Sequence, residues 1–129
     1  RALHKYHSGG LWTNTCCSHP MPNETTEQAA HRRLQEEMGF DCELSKALEF
    51  SYYAELDKGL TEHEYDHVFL GRFDGIPNIN KEEVDSYRYV SIPALKASIK
   101  DTPELYTEWF KIILEKIDPH LEKMGIQAV

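Results

Sequence analysis

Glu62 and Glu64 stand one residue apart inside TEHEYDHVFLGRF (61–73), a run whose alternation predicts a strand. A period of two puts Glu62, Glu64 and Asp66 on one face and His63, Tyr65 and His67 on the other. Two carboxylates facing one pocket repel unless a cation or a shared proton lies between them. His19, at the end of a neighbouring stretch, can bring a nitrogen ligand to the same ion. The competing reading is an exposed edge strand whose acids discourage pairing.

A second concentration of chemistry fills residues 12–40, WTNTCCSHPMPNETTEQAAHRRLQEEMGF. Cys16 and Cys17 can be packing residues, or one can act as an acid or base if it lies beside a charged site. Glu24, Glu36 and Glu37 accompany Arg32 and Arg33, either as ion pairs on an exposed helix or as a site holding Mg²⁺ against a diphosphate gripped by the arginines. Upstream, Arg1, His4, Lys5 and His7 are equally consistent with an anion site and with a solvated loop ending at Gly9-Gly10.

These groups need elements to position them. Residues 11–17 have the composition of a short buried strand. His19-Pro20-Met21-Pro22 must be irregular, because prolines block both helix and ladder. Thr25 and Gln28 predict a capping box, and Gly39 a C-terminal cap, with Ala30, Leu34 and Met38 as the buried stripe between them. Residues 42–53 read as a strand, Asp57-Lys58-Gly59 as a hairpin turn, and YRYVSI within 84–92 as another strand. Pro93 opens a short helix, and a last helix from near Pro103 places Trp109, Ile112, Ile113 and Ile117 on one side until Pro119 ends or kinks it. One α/β domain over residues 1–129 follows.

The 129 residues are 40% hydrophobic and 28% charged, with a net charge of −8. Such a charge argues against nucleic acid, whose phosphates need a basic footprint, but not against a small phosphorylated molecule. Three cysteines, two of them adjacent, make no disulfide framework and suit a reducing, cytoplasmic setting. No apolar run has the length of a membrane span, so a membrane partner is not expected.

Aligned on Ser18, the sequence reads S-x5-E-x7-R-R-L-x-E-E-x-G-F and resembles the Nudix box, G-x5-E-x7-R-E-U-x-E-E-x-G-U, where U is a bulky aliphatic residue. Ser18 stands for the first Gly, Arg33 for the Glu after the Arg, and Phe40 for the last U. RALHKYHSGGLWTNTCCSHPMPNE, AAHRRLQEEMGF, Glu62-His63-Glu64 and the segment Thr102-Pro103 through Trp109 resemble the type I isopentenyl-diphosphate isomerase branch of that superfamily, from Arg1 to about Lys111. The resemblance implies a Nudix-type α/β/α sandwich with a mixed sheet, acting on an allylic or homoallylic diphosphate. It implies Cys17 and Glu64 as catalytic residues, Tyr52 and Trp109 as aromatics around the hydrocarbon, and Arg1, Lys5 and Arg33 on the diphosphate. It further implies His19, Glu62 and Glu64 on a divalent ion (Mn²⁺, Mg²⁺ or Zn²⁺), and Glu37 with a second, diphosphate-bound Mg²⁺.

Moving a double bond by one carbon requires adding one proton and removing another, through a tertiary carbocation that water would trap. The face of Trp109 can stabilise that cation, and Cys17 and Glu64 can handle the two protons. The chain opens on Arg1, and the resemblance implies two more metal-binding histidines on strands upstream of it, so the expectation is an N-terminally truncated fold. The alternatives are a Nudix diphosphate hydrolase, disfavoured by Arg33, and an inactive fragment of the isomerase. Oligomeric state is not legible.

Overall fold

Thr25 starts the first helix. Its hydroxyl accepts the Gln28 backbone N–H at 3.1 Å, and the Gln28 side chain accepts the Thr25 N–H at 2.9 Å. This reciprocal box sets helix α1 at Thr26–Met38 in the computed structural model, which describes residues 1–123. Gly39 closes α1 with φ 71°, and a Cβ there would stand 2.4 Å from the Asn78 carbonyl oxygen. Both the left-handed backbone and the close approach therefore demand glycine. The approaching segment completes the helix end: Asn78 N–H reaches the Met38 carbonyl and Asn80 N–H the Glu37 carbonyl, each at 2.9 Å. The buried face is Ala29, Leu34, Glu37 and Met38, so the expected stripe shifts at one end from Ala30 to Ala29. With about 3.6 residues per turn, a row of every fourth residue drifts around the helix.

Strands β1 (Leu44–Glu55) and β2 (Thr61–Gly71) pair antiparallel, and a bulge lies between Lys46 and Leu48. The turn between them is a 3₁₀ turn at Asp57–Gly59, where Lys58 and Gly59 both have positive φ. Tyr52 faces Glu64, Ala54 faces Glu62, and Phe50 faces Asp66 across the ladder. The α/β character expected from the sequence holds, and among the described residues the sheet consists of these two antiparallel strands.

Two further strands read from composition are absent. Residues 11–17 pair at one point, an isolated parallel bridge between Trp12 and Tyr106. Residues 84–91 carry no strand; instead Arg88 lies over the Trp12 ring at 4.7 Å, and the Tyr89 hydroxyl donates to the Gly75 carbonyl at 2.7 Å. β-branched and aromatic residues favour extended backbone but do not supply a partner for it.

Helix α2 (Ile92–Asp101) has Ser91 as its N-cap and Pro93 in its first turn. The next helix does not begin at Pro103. A 3₁₀ turn at Pro103–Leu105 and extended Tyr106 come first, because the backbone on either side of Tyr106 bonds to Trp12. Helix α3 then spans Glu108–Lys116, and Pro119 falls in a separate short helix, α4 (Asp118–Lys123), after a break at Ile117.

The core joins the inner face of β1 to α2, α3 and α4 through Phe50, Tyr52, Leu95, Trp109, Ile113 and Ile117. Phe110 and Leu114 are buried as well, whereas Ile112 is only half-buried. Ile117 is 3% exposed at the joint between α3 and α4. Ile117→Ala is expected to cost about 2–5 kcal/mol by leaving a cavity, read as a lowered urea midpoint with an unchanged slope.

Candidate active site

An open cleft of about 910 Å³ runs between the 12–20 segment, α1, the inner face of β2 and the start of α3. The residues that the family resemblance implies for the site all line it, namely Arg1, Lys5, Cys17, His19, Arg33, Glu37, Tyr52, Glu62, Glu64 and Trp109, whereas His4, Glu24, Arg32 and Glu36 do not. They fall into a carboxylate group, a thiol and indole group, and a cationic group.

Strand alternation carries Glu62, Glu64 and Asp66 to the cleft side, as read. The Tyr52 hydroxyl donates to Glu62 Oε2 at 2.9 Å and lies 3.5 Å from Glu64 Oε2. His19 Nε2 is 2.9 Å from Glu64 Oε1. Burial, and then hydrogen bonding to Glu64, raises the Glu62 carboxyl, and burial raises Asp66. Burial together with Glu62 holds the proton on Tyr52 well above the usual phenol range.

Cys17 is exposed by surface area, while the protein around its thiol is as dense as around a buried group. Both hold for a side chain on the floor of an open cleft. Reagents can reach the sulfur, but desolvation pushes the thiol up to about 11, with only partial opposition from Arg1. Cys16, half-buried beside it, is pushed up to about 12, again mainly by burial. Trp109 is buried, with the Arg1 guanidinium carbon 5.3 Å from its ring centre and His7 edge-on at 5.9 Å. Burial and then Arg1 lower His7, favouring the neutral form of this buried imidazole.

The cationic group is held by acids. Arg33 reaches Glu36 at 2.5 Å, Glu37 at 3.1 Å and Glu83 at 3.4 Å, and Lys5 pairs with the same Glu83 carboxylate. Burial raises the Glu37 carboxyl, and its Oε2 has no aligned hydrogen-bond donor despite the nearby arginine. Arg1 Nε and Arg33 Nε are likewise buried donors without a hydrogen-bond partner among the described residues. Glu83 was not legible as part of the site. It pairs with Lys5 from 78 positions away, and no motif or spacing marks it.

Glu24 and Arg32 belong to the scaffold. Arg32 grips Glu24 through two bonds of 2.8 and 3.0 Å and reaches the His19 carbonyl at 3.4 Å, fixing the proline-containing loop to α1. Among the described residues, no three His, Cys, Asp or Glu surround a point where a metal ion could be held. His19 and Glu64 touch, Glu62 joins them through Tyr52, and Glu37 belongs to the cationic group. The donor set nevertheless fits a divalent cation in kind, since an imidazole nitrogen adjoins carboxylates that destabilise each other's charge. Glu37 Oε2, buried and ion-paired with Arg33 but without an aligned hydrogen bond, is likewise an oxygen of the kind a hard cation takes.

The cleft thus lies between a capped helix bearing Arg32, Arg33, Glu36 and Glu37 and a strand bearing Glu62 and Glu64. Residues 1–110 match the NUDIX domain. The chain is 57% identical to isopentenyl-diphosphate Delta-isomerase 2 of Photorhabdus laumondii over 114 residues, covering 88% of this chain and 64% of that one. It is 53% identical to the isopentenyl-diphosphate Delta-isomerase of Pectobacterium atrosepticum, covering 91% and 65%. It is also 53% identical to that of Photobacterium profundum, covering 91% and 67%. The chain thus spans just under two thirds of the length of the first two. It belongs to the NUDIX domain family, in the branch that these isopentenyl-diphosphate Delta-isomerases make up.

The Arg32–Glu24 clasp makes a pH prediction. Arg32, helped by the Met21 N–H, pulls the Glu24 carboxyl from 4.5 to about 2. The Glu24 side chain is 17% exposed because Arg32 covers it, with little other protein around it, so the pull comes from the pairing. A carboxyl depressed on folding contributes stability that is present above pH 4.5 and lost as pH falls through about 2. Glu24→Gln is expected to lower the urea midpoint at pH 6 and to shrink its decline between pH 4.5 and 2 relative to the parent.

Proposed function

We propose that this chain carries the active site of an isomerase that interconverts isopentenyl and dimethylallyl diphosphate, in isoprenoid synthesis. The observation that supports it best is the pairing of two chemistries in one cleft. Buried guanidinium donors of Arg1 and Arg33 lack partners, and they share the cleft with the Cys17 thiol and the Glu64 carboxylate. Unpartnered buried donors suit an anion with many acceptor oxygens. The relatives that match are named for acting on isopentenyl diphosphate.

In this reading Arg1, Lys5 and Arg33 hold the diphosphate, and Glu83 keeps Lys5 and Arg33 together until it arrives. The hydrocarbon then lies against Trp109 and Tyr52, which keep water from the reacting carbons. One proton is added to the terminal methylene carbon, giving a tertiary cation. Another is removed from the methylene on the far side of that cation, so the double bond moves by one carbon and no charge or atom is gained. The groups that handle these protons are Sγ of Cys17 and the carboxylate of Glu64. Raised by burial, Cys17 carries its proton at neutral pH. The Tyr52 hydroxyl and His19 orient Glu64.

His19, Glu62 and Glu64 would hold a divalent ion, whose charge lets neighbouring carboxylates stay ionised side by side. Glu37 would take a Mg²⁺ arriving with the diphosphate, which offsets the charge of the phosphate oxygens. The setting this implies is cytoplasmic; among the described residues no helix is long and apolar enough to cross a membrane.

Labelled isopentenyl diphosphate tests the reading. The expected product is the dimethylallyl isomer, with no phosphate released. Release of phosphate or of a nucleotide without isomerisation would instead favour hydrolysis. Cys17→Ala is expected to lower kcat by about 10²–10⁴-fold with a smaller change in KM, because the thiol moves a proton and does not anchor the diphosphate.

A further inference from the structure

The geometry points to Asn14 as a positioning residue that aims the Trp109 indole and the backbone beside Cys17 at the same space. This rests on the proposed isomerase reading, in which Cys17 and Trp109 act. The Asn14 amide is spent on three partners. Trp109 Nε1–H donates to Oδ1 at 3.2 Å, the Thr13 hydroxyl donates to the same oxygen at 2.8 Å, and Nδ2–H donates to the Cys16 carbonyl at 2.7 Å. The amide orientation follows from the partners: an indole nitrogen only donates and a carbonyl only accepts, so the reversed amide would lose both bonds.

The partners are themselves fixed. Thr107 is fully buried, and its hydroxyl lies 2.8 Å from that of Thr13. Since the Thr13 proton goes to Asn14, the Thr107 hydroxyl must donate to Thr13, giving a one-way chain from Thr107 through Thr13 to Asn14. Thr107, the N-cap of α3, makes no side-chain cap bond, and its hydroxyl reaches Thr13 instead. Two backbone bonds, Trp12 N–H to Leu105 and Thr107 N–H to Trp12, hold the two segments in register beneath the amide.

The indole has a single polar atom, so its one hydrogen bond fixes the ring about the axis that packing leaves free. The Cys16 carbonyl belongs to the peptide that leads into Cys17, so anchoring it sets where that thiol stands. Asn14 therefore joins the two across 95 positions of sequence without touching the cations that would hold a diphosphate. An error of about 1 Å in such an arrangement can cost about 10²-fold in rate.

The test uses the 129-residue chain and two variants. Asn14→Ala removes all three bonds, while Asn14→Asp keeps the acceptor for Trp109 and loses the donor to Cys16. The Trp109 indole N–H resonance, assigned with the help of Trp12→Phe, is expected to move upfield in Asn14→Ala, where its acceptor is lost, and not to move upfield in Asn14→Asp, which keeps an acceptor. With isopentenyl diphosphate, Asn14→Ala is expected to lower kcat by about 10- to 100-fold with KM within about threefold of the parent. Asn14→Asp is expected to recover part of that loss. An unmoved indole resonance in Asn14→Ala, or a kcat within about twofold of the parent, would overturn the positioning role while leaving the isomerase reading intact. A parent chain that binds pyrophosphate but does not isomerise would overturn the isomerase reading, and this proposal with it.

Discussion

The site depends on two backbone hydrogen bonds. Trp12 N–H reaches the Leu105 carbonyl at 2.8 Å, and Thr107 N–H reaches the Trp12 carbonyl at 2.9 Å. This one-residue bridge joins the segment bearing Cys17 to the start of the helix bearing Trp109. Neither segment has a continuous ladder to hold it, so the bridge supplies the backbone register between them. Arg88 covers the Trp12 ring and approaches the Tyr106 hydroxyl at 3.4 Å, so side chains shield the bridge. The hydroxyl pair of Thr13 and Thr107 adds a third tie at the same level. The bridge is also why α3 starts late: extended backbone around Tyr106 was needed for pairing and could not join the helix.

A second constraint is electrostatic. A chain of net charge −8 gathers Arg1, Lys5 and Arg33 at one end of a cleft and keeps them in place with its own acids. Glu83 serves two of them at once, and its backbone carbonyl accepts the Ala2 N–H at 3.1 Å, so the same residue fixes the 1–10 loop. Its carboxyl is lowered mainly by the bond to Lys5. The 78–83 segment gains its own position by capping the carbonyls at the end of α1. Packing at Gly39 thereby sets the distance between Glu83 and Arg33. The conformation of one glycine and the spacing of an ion-paired group are parts of one arrangement.

What was legible in the sequence was local. The Thr25–Gln28 box, the Gly39 cap, the Asp57–Gly59 turn and the alternation that turns Glu62 and Glu64 to one side are each specified within a few residues. What was not legible needed a partner distant in sequence. Extended composition at 11–17 and 84–92 could not show that one would pair at a single residue and the other not at all. Glu83 has unremarkable neighbours, and Asn14 lies in the chemistry-rich 12–40 stretch without itself being marked; they make their bonds to Lys5 and Trp109, 78 and 95 positions away. The residues that the family resemblance marked do line one cleft. The resemblance does not say which of their atoms meet: His19 touches Glu64, while Glu62 is reached through Tyr52.

The contrast between Arg32 and Arg33 shows how adjacent, chemically identical residues take different duties. Arg32 uses its fork on Glu24 in a bidentate pair and spends a further nitrogen on the His19 carbonyl, so its donors are committed to the scaffold. Arg33 points about 100° further around the helix, toward the cleft. It meets three carboxylates, yet its Nε–H remains buried without a partner. A guanidinium surrounded by acids but not saturated by them is held in place and still has a donor to give. An acid at that position would stand beside Glu36, Glu37 and Glu83, and the four carboxylates would require cations to stay ionised together. With arginine there, the same acids become its supports.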